Sequence, residues 1–181
     1  MADMDPFVVH FNARVHGMKA DLLSKHVVEN YLEQGDLSHM VDALLDSAYR
    51  TEMAEALTRY EGADAVEEAV SRNLVATFQT LLSRAHGDFR ELVALFLARW
   101  DLMAVKSLIR CQHHQLDAAS VGSALMPGPK LTPPILKELI QSDSMETLVQ
   151  GLIGWNRDLC RCLRGALPDY KESNDPAILE E

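Results

Sequence analysis

The stretch Asp64-Ala-Val-Glu-Glu-Ala-Val-Ser-Arg-Asn-Leu-Val-Ala-Thr-Phe-Gln-Thr-Leu-Leu-Ser-Arg84 decides the fold class. Val66, Val70, Leu74, Phe78, Leu81 and Leu82 recur at three- and four-residue steps, which gathers them on one helix face. Asp64 followed by Glu67 reads as an acidic capping box, the first side chain closing the turn and the second reaching back. Gly87 ends the pattern. Asp88 with Glu91 repeats the start signal ahead of Leu92, Leu95 and Phe96. After a junction at Arg99-Trp100, Asp101 reads as the N-cap of one more helix carrying Val105, Leu108 and Ile109.

The same period extends in both directions. Phe11, Val15, Met18 and Leu22 share a face, as do Val27, Val28, Tyr31 and Leu32, with Gly35 placed as a left-handed C-cap. Leu37, Met40, Val41, Leu44 and Leu45 predict a short helix capped by Asp36 or Ser38, and another runs from about Tyr49 to Tyr60. Downstream, Met126-Pro-Gly-Pro129 brackets a glycine with two prolines and predicts a turn. Thr132 before Pro133 caps and opens a helix, and Asp175-Pro176 opens a later one. Sustained β-type alternation is absent, so the sequence predicts an all-α fold. The chain stops at Ala177 to Glu181 where a new helix is due, which reads as a fragment of a longer protein.

A repeat lies inside this pattern. Laid without gaps on Leu131 to Ile153, the segment Leu23 to Leu45 matches every one of its apolar positions with an apolar residue. Leu23, Val41 and Leu44 find identical partners in Leu131, Val149 and Leu152. Beyond a small insertion, Ala56-Leu57 and Tyr60 meet Ala166-Leu167 and Tyr170. A period of this length exceeds the roughly 20–50 residues of solenoid repeats and predicts pseudo-symmetric domains. The division is a first unit over residues 1–125 and the start of a second over 126–181, about one and a half units.

Composition narrows the function classes. The net charge is −10, and no segment concentrates Lys and Arg, which disfavours nucleic-acid binding and anionic lipid surfaces. Apolar runs such as Leu92 to Ala98 fall well short of the ~20 residues that span a bilayer. Asp3 and Asp5 stand where a signal peptide carries basic residues, so a cytoplasmic protein without direct membrane insertion is expected. Three cysteines, Cys111, Cys160 and Cys162, form no disulfide framework.

No reactive constellation emerges. Cys111, His113, His114, Cys160 and Cys162 are the nearest approach to a metal site, but neither pair has the two- to four-residue gap of structural zinc. Cys160 and Cys162 also point nearly opposite ways on a helix. Phosphate-binding glycine loops and nucleophile elbows are missing. The reading is a non-enzyme without catalytic, cofactor or metal residues. Arg99 and Trp100 interrupt an apolar run and belong to residue types enriched at interfaces; the alternative is a tight helix junction with Trp100 in the core and Asp101 as N-cap.

Asn12-Ala-Arg14-Val15 followed by Met18-Lys19 and Leu22-Leu23-Ser24 resembles the opening of the V/A-type ATPase connector, the C subunit of prokaryotic complexes and the d subunit of eukaryotic ones. Leu97-Ala-Arg99-Trp100-Asp101-Leu102, with Val105-Lys106 and Leu108-Ile-Arg110, is similar to that family's Arg-Trp-Asp or Arg-Asn-Asp segment. Asp36-Leu37 to Leu45, with Tyr49 behind, fits as well. The resemblance implies a funnel of three similar helical domains, of which this chain holds the first and part of a second. It implies a non-catalytic central-stalk protein on the cytoplasmic face of a membrane proteolipid ring, holding the foot of the central shaft and transmitting torque. Asn12, Arg14, Arg99, Trp100 and Asp101 are the motif positions it carries over. Apolar surface left uncovered by a missing half predicts self-association. A free-standing helical adaptor that binds partner helices is the competing interaction class. A small enzyme or metal-sensing bundle using the Cys and His residues is a further one.

Overall fold

The computed structural model of the protein describes residues 6–34, 36–116, 121 and 125–180, and every regular element among them is helical. The predicted cap at Gly35, the acidic Asp3 and Asp5, the terminal Glu181 and the side chain of Leu32 lie outside the described residues. The chain divides into two compact units, residues 1–93 and 94–181.

In the first unit, α1 spans Pro6–Ala20, α2 Lys25–Gln34, α3 Leu37–Leu45, α4 Arg50–Ala56 and α5 Gly62–Arg84. Asp36 caps α3 as predicted, its carboxylate accepting from the Ser38 N–H at 2.9 Å and from the Ser38 hydroxyl at 2.7 Å. Those two bonds hold the Asp36 carboxyl below the usual carboxylate range. The core gathers Leu44, Met53, Ala56, Ala65, Val66 and Ala69, with Leu23, Met40, Val41 and Tyr60 packed around it. Arg72 on α5 binds Glu68 at 2.7 Å and reaches Glu55 on α4 at 3.2 Å, tying the two helices.

Two predicted features shift. The capping box at Asp64 does not form, because α5 begins earlier, at Gly62 behind the extended Glu61. Gly62 takes φ +59°, a left-handed turn that costs glycine little and starts the helix before Asp64 is reached. Asp64 therefore lies inside the first turn, where its charge complements the positive end of the helix dipole. The helix expected to run to Tyr60 ends at Ala56, and the chain continues in turns to Tyr60, whose N–H still donates to the Ala56 carbonyl at 2.9 Å.

Helix α6 runs unbroken from Gly87 to His113, and the division between units falls within it. The second unit continues with α7, Pro133–Ile140, α8, Met145–Gly151, a 3-10 turn at Leu152–Gly154, α9, Arg157–Ser173, and a closing 3-10 turn at Pro176–Leu179. Thr132 takes the N-cap position of α7 but its side chain makes no cap bond, whereas side-chain caps start α8, α9 and the closing turn. Ser144 accepts from the Thr147 N–H, Asn156 from those of Asp158 and Leu159, and Asp175 from that of Ala177. The core joins Val105, Leu108 and Ile109 of α6 to Leu136, Leu148, Val149, Leu152, Cys160, Leu163 and Leu179.

The internal repeat has a structural counterpart. Helices α2 and α7 start 108 residues apart, as do α3 and α8, and the caps Asp36 and Ser144 share that spacing. Leu44 and Leu152 are 1% and 0% exposed, while Tyr60 and Tyr170 each pack against the core of their own unit.

Candidate functional site

The residues singled out by sequence fall into two groups, one in each unit. Asn12 and Arg14 are exposed on α1. What anchors that helix is the aromatic pair one turn apart beside them. Phe11 meets Phe89 edge-on with centroids 4.9 Å apart, and Phe7 lies 4.9 Å from the ring of His86. The four-residue spacing of Phe7 and Phe11 is the signal in the sequence for this cluster, since it places both rings on one side of α1.

Arg99, Trp100 and Asp101 are consecutive on α6 but do different work. Arg99 is exposed, with its guanidinium carbon 4.8 Å from the centroid of the Phe96 ring and 5.3 Å from that of Trp100. Trp100 is half-buried. Asp101 is 1% exposed and sits inside the helix, which corrects the expectation of a junction capped by this residue. An aspartate caps a helix only where backbone N–H groups lack carbonyl partners, and in mid-helix those partners are already present.

The Asp101 carboxylate binds a different segment. Its Oδ1 accepts from the backbone N–H of Leu131 at 2.8 Å and of Lys130 at 3.1 Å. The turn that delivers those donors is closed by the Gly128 N–H bonding to the Leu131 carbonyl at 3.0 Å. A Cβ on Gly128 would lie 2.1 Å from Asp101 Oδ1 and 2.8 Å from the Asp101 backbone nitrogen, so only glycine fits here. The Pro-Gly-Pro run, read from sequence as a turn, is thus a buried clasp on α6, with Pro127, Gly128 and Pro129 all buried.

Burial raises the Asp101 pKa above the ordinary aspartate value; the two backbone N–H groups, the charge of Lys130 and the Trp155 indole oppose that rise. Asp101 Oδ2 and Trp155 Nε1 are buried and form no hydrogen bond of ordinary geometry. This is the arrangement of a structural carboxylate held by backbone N–H groups.

Of the cysteines and histidines weighed as ligands, Cys160 is buried, Cys111 and His113 are half-buried, and His114 is exposed. The Cys160 thiol is buried and donates to the Val149 carbonyl at 3.1 Å, whereas Cys162 is exposed. Burial pushes the half-buried Cys111 thiol up. His113 pairs with the Tyr170 hydroxyl at 3.1 Å and its ring lies 4.8 Å from that of His114. Among the described residues, no three His, Cys, Asp or Glu side chains converge as metal ligands. A groove of about 560 Å³ beside Leu131, Ile135 and Trp155 is lined mainly by apolar groups, with Lys130 at its rim. No helix among the described residues is long and apolar enough to cross a membrane.

Several proteins of known name are similar to this chain in sequence. The C subunit of the A-type ATP synthase of Methanococcoides burtonii is 26% identical over 145 residues, covering 80% of this chain and 40% of the relative. The protein of the same name in Halobacterium salinarum is 28% identical over 168 residues, covering 93% and 47%. The C subunit of the V-type ATP synthase of Deinococcus radiodurans is 26% identical over 171 residues, covering 94% and 49%. The chain thus spans less than half the length of these relatives. The family model described as "ATP synthase (C/AC39) subunit" matches residues 11–181, and the chain belongs to that family.

Proposed function

We propose that this chain is part of a non-catalytic central-stalk connector of a V/A-type rotary ATPase. In that role it links the rotor shaft to the membrane proteolipid ring and passes torque during ion transport or ATP synthesis. The observation that carries the reading is the family match, which runs through both compact units. A torque coupler needs stiff bodies and broad contacts more than reactive groups. Crystal-like packing of apolar helices supplies stiffness, and the Asp101–Gly128 clasp adds a fixed loop to α6.

The partners in this reading are the central-shaft subunits and the proteolipid ring, with attachment to the membrane made through them on the cytoplasmic face. The repeat fits a pseudo-symmetric protein in which residues 1–125 form one helical unit and residues 126–181 begin the next. Asn12, Arg14 and Arg99 are the motif positions available to partners, being exposed, whereas Trp100 is half-buried and Asp101 buried.

The competing reading is a free-standing helical adaptor, favoured by the exposed apolar side chains of α6. Tagging the native protein and identifying what co-purifies from gently solubilised membranes separates the two. Proteolipid and ATPase head subunits at stoichiometric levels are the expected result. Unrelated soluble partners in their place sink the connector reading.

A further inference from the structure

Within residues 94–113, helix α6 is apolar on two opposite sides. Leu97, Ala104, Val105, Leu108 and Ile109, together with Asp101, are buried on one. On the other, Leu95, Phe96, Leu102 and Met103 are 74%, 62%, 43% and 54% exposed. At ~100° per residue the centres of the two groups are nearly opposite. A helix that is apolar all round is ordinarily covered all round. The exposed positions 95, 99, 102 and 106 also follow the four–three alternation of a helix–helix seam. Two seam positions are the cations Arg99 and Lys106, in a chain whose net charge is −10. Arg99 stands in the centre of the apolar side, and among the described residues no carboxylate pairs with it.

We propose that this side of α6 docks an amphipathic helix of a partner protein that carries an aspartate or glutamate within its apolar seam, opposite Arg99. Phe96 and Trp100 hold the guanidinium by cation–π contact, so little side-chain freedom is lost when a carboxylate meets it. Charge-assisted, bidentate pairing then fixes the register, while Leu95, Phe96, Leu102 and Met103 supply the buried area. A lipid surface fits less well. Helices that lie in a membrane interface keep their cations on the flanks, within reach of headgroups, and here insertion would bury Arg99 deepest. A second copy of the same face fits less well too. Registers that overlap Leu95 and Phe96 with Leu102 and Met103 set Arg99 against its own copy, and the antiparallel register that brings Asp88 opposite Arg99 takes Leu102 and Met103 away from the copy's exposed apolar side chains.

Any protein presenting such a helix would satisfy the face, so the docking site stands or falls apart from the connector reading. Its test uses the full chain and two dye-labelled synthetic helices with identical leucine seams, one bearing Glu and the other Lys at a central seam position. Fluorescence anisotropy should show the Glu helix bound at least about ten-fold more tightly, the equivalent of roughly 1.4 kcal/mol. Arg99→Glu should reverse the preference, and Leu95→Ser with Met103→Ser should abolish binding of both. These side chains are exposed, so the variants should keep the parent's circular dichroism and melting curve. Equal binding of the two helices, or binding of neither, overturns the proposal. So does tighter binding to phosphatidylserine vesicles that Arg99→Glu weakens, which assigns the face to lipid. A concentration-dependent dimer in sedimentation that Leu95→Ser disperses assigns it to a second copy and overturns the proposal equally.

Discussion

Val41 and Val149 hold equivalent places in two helical hairpins that begin 108 residues apart, and so do Met40 and Leu148. In the first unit both side chains are half-buried; in the second they are 0% and 1% exposed. Leu37 is 39% exposed against 6% for Met145. The hairpins share their apolar pattern and the capped start of their second helix, so the difference lies in what each one meets. In the first unit the opposing surface is rich in small residues, Ala56, Ala65 and Ala69. In the second it is built from Leu108, Ile109 and Leu163. A helical pattern specifies which side faces inward, and the opposing side chains set how completely water is removed.

The sharpest break of this comparison is a matched pair of truncations. Leu148→Ala empties a closed site and should cost about 2–5 kcal/mol. Met40→Ala removes a half-buried side chain at the equivalent place and should cost about half as much or less. Trp100 and Trp155 both lie in the second unit, so tryptophan fluorescence during urea unfolding reads that unit alone. Hydrogen exchange across α3 reads the first. Equal losses would mean that exposure in the folded state does not rank the two cores.

The approach to each hairpin sharpens the same contrast. Leu131 is 0% exposed, whereas its counterpart Leu23 is half-buried and the neighbouring Leu22 is 57% exposed. Asp101 explains the difference, because it fixes the Lys130 and Leu131 backbone against α6. Gly128→Ala drives a methyl into that carboxylate and should cost about 1–3 kcal/mol by overpacking. Combined with Asp101→Ala, which also orphans two buried N–H groups, the losses should fall short of additive because the methyl gains room. Strict additivity in urea melts would show that the two residues are not one clasp.

Much of this is legible in the residues. The spacing of Val66 to Leu82 fixes a helix, and Asp36 and Thr132 mark starts where helices begin. The repeat register places two helix pairs correctly because apolar period and cap position are both local properties. Asp101 departs from its sequence reading for the converse reason. Aspartate before an apolar run is a cap signal whenever chain geometry is unknown, and only the fold brings the Lys130 and Leu131 N–H groups, some thirty residues away, to its Oδ1. Gly62 and Gly128 illustrate the same limit. One starts a helix by a left-handed turn and the other yields space to a carboxylate, and neither role has a local sequence signature. Arg99 stands out in the sequence by type, but its isolation among exposed apolar side chains is a property of the surface.

Ion pairs inside each unit carry the smallest effect. In the first, Arg72 is divided between Glu68 and Glu55. In the second, Arg110 meets Glu180 through two bonds of 2.6 Å, tying the closing turn to α6. The Arg110 guanidinium holds the Glu180 carboxyl below the usual glutamate range, with the charge of Lys106 adding to it. A carboxyl whose folded pKa is lowered contributes stability above its unfolded pKa, and that contribution is lost as pH falls through the folded value. Asp101 has the opposite sign, since its raised pKa gives a contribution that is present below the ordinary aspartate value and lost as pH rises through the folded one. Glu180→Gln should therefore lower the urea midpoint of the second unit at neutral pH by a small amount. The gap to the parent should close in acid, where Glu180 is protonated in both states. Asp101→Asn should have the inverse profile, its charge-dependent advantage over the parent growing as pH rises. A Glu180→Gln deficit that stays constant from neutral pH into acid would mean that the pair acts by shape and not by charge, leaving the closing turn held by Leu179.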